Sequence, residues 1–396
     1  MAPYIQEHFK RQAKPWAEQE RPDGYIGLAI AENRQIAPTV LASLERYRDA
    51  PVGVMGYDDT LNNRLFRTHL AQFMSRTFLG SAVDADQLVV QAGAGSILEN
   101  LFYAIADPGD GVLVPLPSYA GFWADLETRD GLTILPVDCS GRDNYDPTPA
   151  LLDAAVANAT VPVRALLFTT PNNPMGRVYG REEIQAVLSW AAGKKIHVIF
   201  DEIYALSVFG ERPFVSAASL QADLAENIHI IWGFSKDFGA SGLRCGVLLS
   251  SNHALLQAVG SLSYWASCSG HTQHLLSRFI ADQGVVDRTI GQMRAGLKQA
   301  YQQTIDALDR AAIPHIPADA GIFLICDLRS YLDEPTWQGE QRLWHRILDH
   351  CNVNLTPGEH CHFVEPGLFR LCYVAESQRA VTTAIERLAN LLNNKR

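Results

Sequence analysis

Two apolar runs in the middle of the chain are each followed by side chains that could do chemistry. Asp201 comes directly after the run I-H-V-I-F, and Tyr204 follows three residues later. Lys236 comes shortly after the run I-H-I-I-W, with Arg244 eight residues further on. Because ligands of open α/β sheets bind beyond the carboxyl ends of the strands, we expect these side chains to meet at one edge of a sheet. There a lysine and a carboxylate could move a proton, and an arginine could bind an anion.

Each of these residues also has an ordinary structural interpretation. An acidic residue such as Asp201 after a strand commonly caps the next helix, and a lysine after a strand is commonly exposed in a loop. The cluster S-K-D is followed by Arg244 and then by another apolar run. This arrangement is harder to explain as an exposed surface loop. The turn P-N-N-P-M-G (171–176) and Arg370 in E-P-G-L-F-R are, taken alone, a proline-rich turn and a surface arginine.

A glycine-rich turn supplies a possible anion site. The segment 87–96 reads Q-L-V-V-Q-A-G-A-G-S, a predicted strand that runs into a turn and opens a helix. Free backbone N–H groups at the start of a helix bind phosphate well. Leu98 stands where the dinucleotide-binding fingerprint has its third glycine, which disfavours a nicotinamide-dependent dehydrogenase.

Strands and helices alternate through the central region, as in an α/β fold with a mostly parallel sheet between helices. Several strand runs are continuously apolar, which is typical of strands covered on both faces. The predicted strands are 88–91, 111–114, 132–137, 165–169, 197–200, 229–232 and 246–249, with helices over 96–106, 181–191 and 253–259.

The C-terminal part has a different pattern and predicts a smaller α+β domain. A long polar helical pattern ends at Ala311 and is followed by a strand (322–327), a helix (340–350), a hairpin-like segment (353–374) and a last helix (378–393). We therefore expect an N-terminal arm (1–45) that contributes to the small domain, a large domain (46–280) and the small C-terminal domain (281–396).

Composition excludes several classes of protein. The 396 residues are 47% hydrophobic and 19% charged, which is unlike a disordered chain. A net charge of −10 disfavours a nucleic-acid-binding surface. The sequence predicts neither a membrane helix nor a secretory signal, so we expect a cytoplasmic protein. The seven cysteines form no C-x-x-C, and H-x-x-H at His271 and His274 has no third ligand suitably spaced, so we expect no metal site.

The order and spacing of these motifs together resemble the fold-type-I pyridoxal-phosphate enzymes of the class I/II aminotransferase family. Within that family the chain is most similar to the 1-aminocyclopropane-1-carboxylate synthase-like group, from about residue 24 to the C-terminus. The stretches that carry the resemblance are G-Y-I-G-L-A-I-A-E-N (24–33), A-D-P-G-D (106–110), P-S-Y-A-G-F-W-A-D-L (117–126), F-S-K-D-F-G-A-S-G-L-R (234–244), A-G-I-F-L-I-C-D-L-R (320–329) and P-G-E-H-C-H-F-V-E-P-G-L-F-R (357–370).

The resemblance implies a cofactor, pyridoxal 5′-phosphate, and a role for each matching residue. Lys236 would bind the cofactor covalently and later move the Cα proton. Asp201 would pair with the pyridine nitrogen and keep the ring an electron sink. Asn173 and Tyr204 would contact the ring's 3-oxygen, and Tyr119 would stack on the ring face.

Further residues would hold the phosphate group. By the same resemblance, Arg244 and the backbone of Ala94 and Gly95 would bind it. Tyr57 would reach it from the neighbouring subunit of a homodimer with shared active sites.

The substrate is expected to be an L-α-amino acid. The resemblance implies that Arg370 clamps its α-carboxylate, with Asn173 and Ala29 nearby. Glu32, in the stretch A-E-N, would lie near the side chain and favour a polar or cationic group. Lys236, Tyr119 and Glu32 form the predicted catalytic set. An exposed helix-cap acid is the ordinary alternative for Glu32.

The chain departs from the family pattern near the site. Gly233 stands three residues before the lysine, where the family often has a phosphate-binding Ser or Thr. We do not assign that role to Ser235, whose direction differs. The loop before Arg370 contains Glu359, His360, Cys361 and His362. The plant synthases have small hydroxyl residues in this loop. That difference disfavours the plant synthases' own substrate.

Three functions therefore stay open from the sequence. The first is elimination, replacement or cyclisation at the β or γ carbon of an amino acid, which the A-E-N stretch favours. The second is ordinary aminotransfer to a 2-oxo acid, on the same scaffold. The third, a ligand-sensing regulator, is disfavoured because only about two dozen residues precede the resemblance.

Overall fold

A seven-stranded sheet forms the centre of the molecule. The computed structural model describes residues 1–57, 63–140, 145–221 and 224–393. The strands of the large sheet are β2 (Leu88–Gln91), β3 (Gly111–Leu116), β4 (Thr133–Asp138), β5 (Val163–Thr169), β6 (His197–Asp201), β7 (Ile228–Gly233) and β8 (Gly246–Ser250). Their order is β2-β8-β7-β6-β5-β3-β4, and β8 runs antiparallel to both of its neighbours while the other pairs are parallel. The predicted α/β class and mostly parallel sheet are confirmed.

Helices cover both faces of this sheet, which explains why its strands are continuously apolar. Every residue of β7 and β8 is buried, as expected for strands packed on both sides. The helices up to the second sheet are α1 (Pro3–Arg11), α2 (Ala37–Leu44), α3 (Arg64–Met74), α4 (Ala94–Ile105), α5 (Phe122–Glu127), α6 (Pro149–Asn158), α7 (Arg181–Ala192), α8 (Phe234–Asp237), α9 (His253–Ala266), α10 (Gly270–Ala281) and α11 (Gln283–Arg310). None of the helices in the described ranges is long and apolar enough to cross a membrane.

The C-terminal part builds a second, antiparallel sheet. Its strands β9 (His315–Ile316), β10 (Phe323–Asp327) and β12 (Leu368–Cys372) lie in the order β12-β10-β9. Two helices, α12 (Trp337–Arg346) and α13 (Gln378–Asn393), accompany it. The predicted last helix has the observed bounds, because its apolar stripe is uninterrupted.

The N-terminal segment joins this C-terminal part. Strand β1 (Ile26–Gly27) pairs in parallel with β11 (Val353–Asn354). The expected hairpin over 353–374 is therefore reduced to one antiparallel bridge between Thr356 and Arg370, because β11 pairs with β1 instead. The predicted division into an N-terminal arm, a large domain and a small domain, at residues 45 and 280, stays a prediction.

Candidate active site

A pocket of about 430 Å³ opens where β5, β6 and β7 end, as the rule for open α/β sheets predicts. It brings together side chains that are far apart in the sequence. The predicted residues that line it are Ala29, Glu32, Ala94, Gly95, Tyr119, Asn173, Asp201, Tyr204, Lys236, Arg244 and Arg370. Tyr57 is the exception, because its side chain is fully exposed on the surface of this single chain.

Lys236 lies in the short helix α8, directly after β7, and its amine points into the pocket. Its Nζ donates a hydrogen bond to the carbonyl of Ala31 at 2.7 Å. Burial lowers the pKa of Lys236, so the uncharged, nucleophilic amine is easier to reach. The surroundings of Lys236 are thus suited to an amine that forms a covalent bond.

The neighbouring Asp237 fixes the backbone of this lysine, a role that the sequence analysis did not assign. Its buried carboxylate accepts hydrogen bonds from Ser207 Oγ at 2.5 Å, Trp232 Nε1 at 2.9 Å and the backbone N–H of Leu206 at 3.1 Å. Three donors from two other segments hold Asp237 in place. Lys236 is therefore presented from a rigid turn.

Asp201 ends β6 and is buried beneath the pocket. The backbone N–H of Ile203 donates to its Oδ1 at 3.3 Å. Burial raises the pKa of Asp201 to about 7. The protein leaves this carboxylate poorly solvated. A protonated nitrogen base that bound beside it would form an ion pair with it and stabilise its ionised form.

Arg370 in β12 is buried and presents part of its guanidinium for another partner. Its Nη1 donates to Asn173 Oδ1 at 3.0 Å, and its Nη2 donates to the carbonyl of Ala29 at 2.7 Å and to Thr356 Oγ1 at 3.2 Å. Its Nε has no hydrogen-bond partner among the residues that the structure describes. A planar cation held in this way can bind a carboxylate.

The turn before α4 forms an anion cradle. Gly93 has φ +93°, a conformation that favours glycine, and α4 begins at Ala94 without a side-chain cap. A Cβ at Gly93 would collide with the guanidinium of Arg244, so the glycine lets that side chain lie against the turn. Arg244 is held by a hydrogen bond from its Nη1 to the carbonyl of Ser241 at 3.0 Å.

The departure at Gly233 has a steric reason. Gly233 pairs with Gly246 across β7 and β8, and a Cβ on Gly233 would lie 2.8 Å from the carbonyl oxygen of Cys245. A serine or threonine at this position would require the strands to shift. The hydroxyl that the family often places there is incompatible with this close approach.

The two tyrosines of the site are held by aromatic packing. Tyr119 meets the edge of Phe122 at 5.2 Å between ring centroids, and a Cβ at Gly121 would collide with its ring. Tyr204 is buried and packs edge-on against Phe323 at 5.3 Å. Both rings therefore have fixed positions in the wall of the pocket.

Glu32 lines the pocket and has a charged partner on the same loop. Arg34 Nε lies 3.0 Å from Glu32 Oε2, and both side chains are partly exposed. The sequence predicts a carboxylate here but not its ion pair with Arg34. The pair with Arg34 changes the charge that this wall offers to a substrate.

Two further residues of the wall were missed by sequence reasoning. Tyr4 comes from α1 and packs against His360 at 5.1 Å between ring centroids, so the N-terminal helix reaches the pocket. Asp125 comes from α5, and burial raises its pKa to about 6. The motif 117–126 contains Asp125, but only the fold shows that it faces the pocket.

The histidines of the loop before Arg370 pack against aromatic rings. His362 stacks on Trp123 with 3.3 Å between ring centroids, and burial lowers its pKa to about 4. Glu359 Oε2 accepts a hydrogen bond from Gln341 at 2.9 Å. His271 and His274, the H-x-x-H motif, do not line the pocket. His274 on α10 forms a hydrogen bond with the carbonyl of Asp49 at 3.0 Å.

Comparison with known proteins identifies the class. The model of the family "Aminotransferase class I and II" matches residues 23–388, and the chain belongs to this family of enzymes, which use pyridoxal 5′-phosphate and are typically dimeric. The chain is 33% identical to 1-aminocyclopropane-1-carboxylate synthase 6 of Arabidopsis thaliana, covering 95% of this chain and 80% of that protein. It is 32% identical to synthase 4 of Oryza sativa subsp. japonica, over 99% and 87%.

Solved structures agree on the fold. A double mutant of Thermus thermophilus aspartate aminotransferase superimposes with a TM-score of 0.83 at 22% identity, covering 99% of this chain and 97% of that one. The aromatic aminotransferase of Pyrococcus horikoshii OT3 gives a TM-score of 0.81 at 18% identity, over 94% and 96%.

The residues present fit the cofactor of this family. Pyridoxal 5′-phosphate has an aldehyde, a pyridine nitrogen and a phosphate, and the pocket contains a suitable group for each. These are the buried amine of Lys236, the buried carboxyl of Asp201, and the N-terminus of α4 with Arg244. Arg370 lines the same pocket and supplies a cation suited to a substrate carboxylate as well.

Proposed function

We propose that the protein catalyses elimination, replacement or cyclisation at the β or γ carbon of an L-α-amino acid with a polar or cationic side chain. The observation that carries this proposal is the carboxylate of Glu32 in the same pocket as Lys236 and Arg370. The full-length similarity to aminocyclopropane-carboxylate synthases supports it. When bound, the pyridoxal cofactor supplies an electron sink for the charge that develops at Cα.

The chain's own residues divide the remaining work. Arg370 binds the substrate α-carboxylate, and Asn173, bonded to Arg370, fixes its direction. Lys236 binds the cofactor and then, as a free amine, takes the proton from Cα. Its lowered pKa suits an amine that must act as a base near neutral pH.

Three groups would orient the cofactor ring: Asp201, Tyr119, and the N-terminus of α4 with Arg244. Asp201 would hold the proton of the pyridine nitrogen, and the cradle at Ala94 and Gly95 would hold the phosphate. Tyr119 would stack on the ring, and Glu32 would face the substrate side chain. A leaving group on the β or γ carbon would depart on that side.

The proposal includes a homodimer in which Tyr57 of one subunit completes the phosphate site of the other. Its fully exposed ring supports this, since exposed aromatic side chains commonly mark protein contacts. Val52 and Met55, in the same segment, are also largely exposed.

The reaction type is tested by incubating the purified holoenzyme with candidate amino acids and following the cofactor's visible absorption. We expect a product that has lost or exchanged a side-chain group, with the cofactor returning to its starting form. Stoichiometric conversion of the cofactor to its amine form, reversed by a 2-oxo acid, would instead establish aminotransfer.

A further inference from the structure

Arg34 lies between two carboxylates at the mouth of the pocket. Its Nε is 3.0 Å from Glu32 Oε2, and its Nη1 is 3.7 Å from Glu376 Oε1. Only Glu32 of these three lines the pocket. The side chain of Arg34 is 48% exposed, so its guanidinium has room to move from one carboxylate to the other.

The backbone around this group is fixed. The N–H of Arg34 donates to the carbonyl of Val374 at 3.1 Å, and the N–H of Glu32 donates to the carbonyl of Ile30 at 3.0 Å. Gln35 Nε2 donates to the carbonyl of Glu376 at 3.4 Å. Val374 follows β12, the strand that carries Arg370. Movement is therefore confined to the side chains.

The charges explain what such movement would do. While Arg34 pairs with Glu32, this wall of the pocket presents an ion pair with little net charge. If Arg34 turned to Glu376, Glu32 would present a free carboxylate to the substrate. Glu376 is 28% exposed and burial raises its pKa, so a closer cation would stabilise its ionised form.

We propose that Arg34 is a positioning residue that limits the preference of Glu32 for a cationic substrate side chain: the cation must replace Arg34 on Glu32, and Arg34 then moves onto Glu376. The inference rests on the proposed function, because it assumes that the substrate side chain faces Glu32. An anionic side chain would gain from Arg34 itself, and a neutral one would leave the Glu32–Arg34 pair intact.

The test compares amino acids of similar shape and different charge on the holoenzyme. Arginine and citrulline form one matched pair, and lysine and norleucine form another. The readout is the dissociation constant of each, taken from the change in the bound cofactor's absorption. The quantity of interest is the preference for the cationic member of each pair.

Opposite shifts are expected in two variants. Arg34→Gln frees Glu32 and should raise the preference for the cation about twofold to fivefold, the range of a partly exposed ion pair. Glu376→Gln removes the second position of Arg34 and should lower that preference by a similar factor. In the Glu32→Gln protein, the additional substitution Arg34→Gln should leave the preference for the cationic amino acid unchanged.

Arg329→Gln is the matched control, because Arg329 also bridges two carboxylates, Asp327 and Glu365, without lining the pocket. It should leave the preference unchanged. An unchanged or lower preference in Arg34→Gln would overturn the inference. Absence of any spectral change with every amino acid would contradict the proposed function instead.

Discussion

The carboxyl group of Asp201 is buried where water cannot solvate its charge. Ionisation is therefore unfavourable, and burial raises the pKa of Asp201 to about 7. Its neighbour Glu202 is fully buried as well, and burial raises its pKa to about 8. Sites that bind a charged cofactor often contain buried ionisable groups that destabilise the cofactor-free protein. A cationic partner that binds next to such a carboxylate offsets the unfavourable free energy of its burial.

Asp201→Asn is predicted to stabilise the cofactor-free protein and to weaken cofactor binding. The pKa of Asp201 is raised on folding, so the folded state holds its proton more tightly than the unfolded state. Its unfavourable effect therefore grows as the pH rises from about 4 to about 7 and is complete above that. We expect the stabilisation to be larger at pH 8 than at pH 5 by about 1–3 kcal/mol.

Denaturant unfolding of the cofactor-free proteins at the two pH values measures this difference. Asp107→Asn, at an exposed turn, is the control and should show no such dependence. A gain from Asp201→Asn that is equal at pH 5 and pH 8 would refute the electrostatic explanation.

Single residues of the site differ in how well the sequence predicts them. Lys236 and Asp201 lie at the carboxyl ends of apolar strands. Ligands of open α/β sheets bind at these ends, so the sequence predicts both residues in the site without knowledge of the packing. Tyr4 could not be predicted in this way, because its position depends on α1 packing against a loop more than 350 residues away. Arg34 belongs to the motif at Glu32, but its pairing depends on side-chain geometry.

At the scale of elements, the close approach of β7 and β8 shapes the proposed phosphate site. Gly233 and Gly246 face each other where these strands meet the cradle formed by Gly93 and Arg244. In the proposed phosphate site, the N-terminus of α4 and Arg244 would therefore act without a side-chain hydroxyl at residue 233.

Restoring that hydroxyl by Gly233→Ser should destabilise the protein without tightening cofactor binding. The new Cβ would lie 2.8 Å from a backbone oxygen, so the strands must move, at a cost of about 1–3 kcal/mol. Thermal unfolding and the cofactor dissociation constant measure the two effects. Gly242→Ser is the control, since a Cβ there meets nothing within 4 Å. Tighter cofactor binding by the Gly233→Ser protein would be evidence against this explanation.

The sequence predicts the strands of the large sheet within a residue or two, because runs buried on both faces are continuously apolar. It failed over 353–374, where two short strands find partners in distant segments rather than in each other. The long helical pattern ending at Ala311 is divided into α10 and α11 at Asp282, which caps α11 by accepting from the N–H of Val285.

At the scale of the whole molecule, the proposed function requires a chain with net charge −10 to bind a phosphate and a carboxylate. The groups proposed to bind them are local exceptions to the overall sign, and all line one pocket: Lys236, Arg244, Arg370 and the N-terminus of α4. Arg370 is buried, so its charge is less screened by solvent, whereas charges on the surface are screened by salt.

Shared active sites in a homodimer are tested by mixing two defective proteins, Tyr57→Phe and Lys236→Ala. In a mixed dimer one site would combine the native Lys236 of one subunit with the native Tyr57 of the other. We expect tight cofactor retention and activity to return on mixing under subunit exchange. If the two proteins carry different affinity tags and co-purification shows that mixed dimers have formed, absence of recovery would count against a phosphate contact from the neighbouring subunit.

The most direct test of the central claim is to locate the covalent bond to the cofactor. The holoenzyme is reduced with borohydride, digested, and its peptides are analysed by mass spectrometry. The site geometry predicts one pyridoxyl-phosphate group per chain, on Lys236, and none on the Lys236→Ala protein. A stoichiometric label on any other lysine of the native protein would contradict the account.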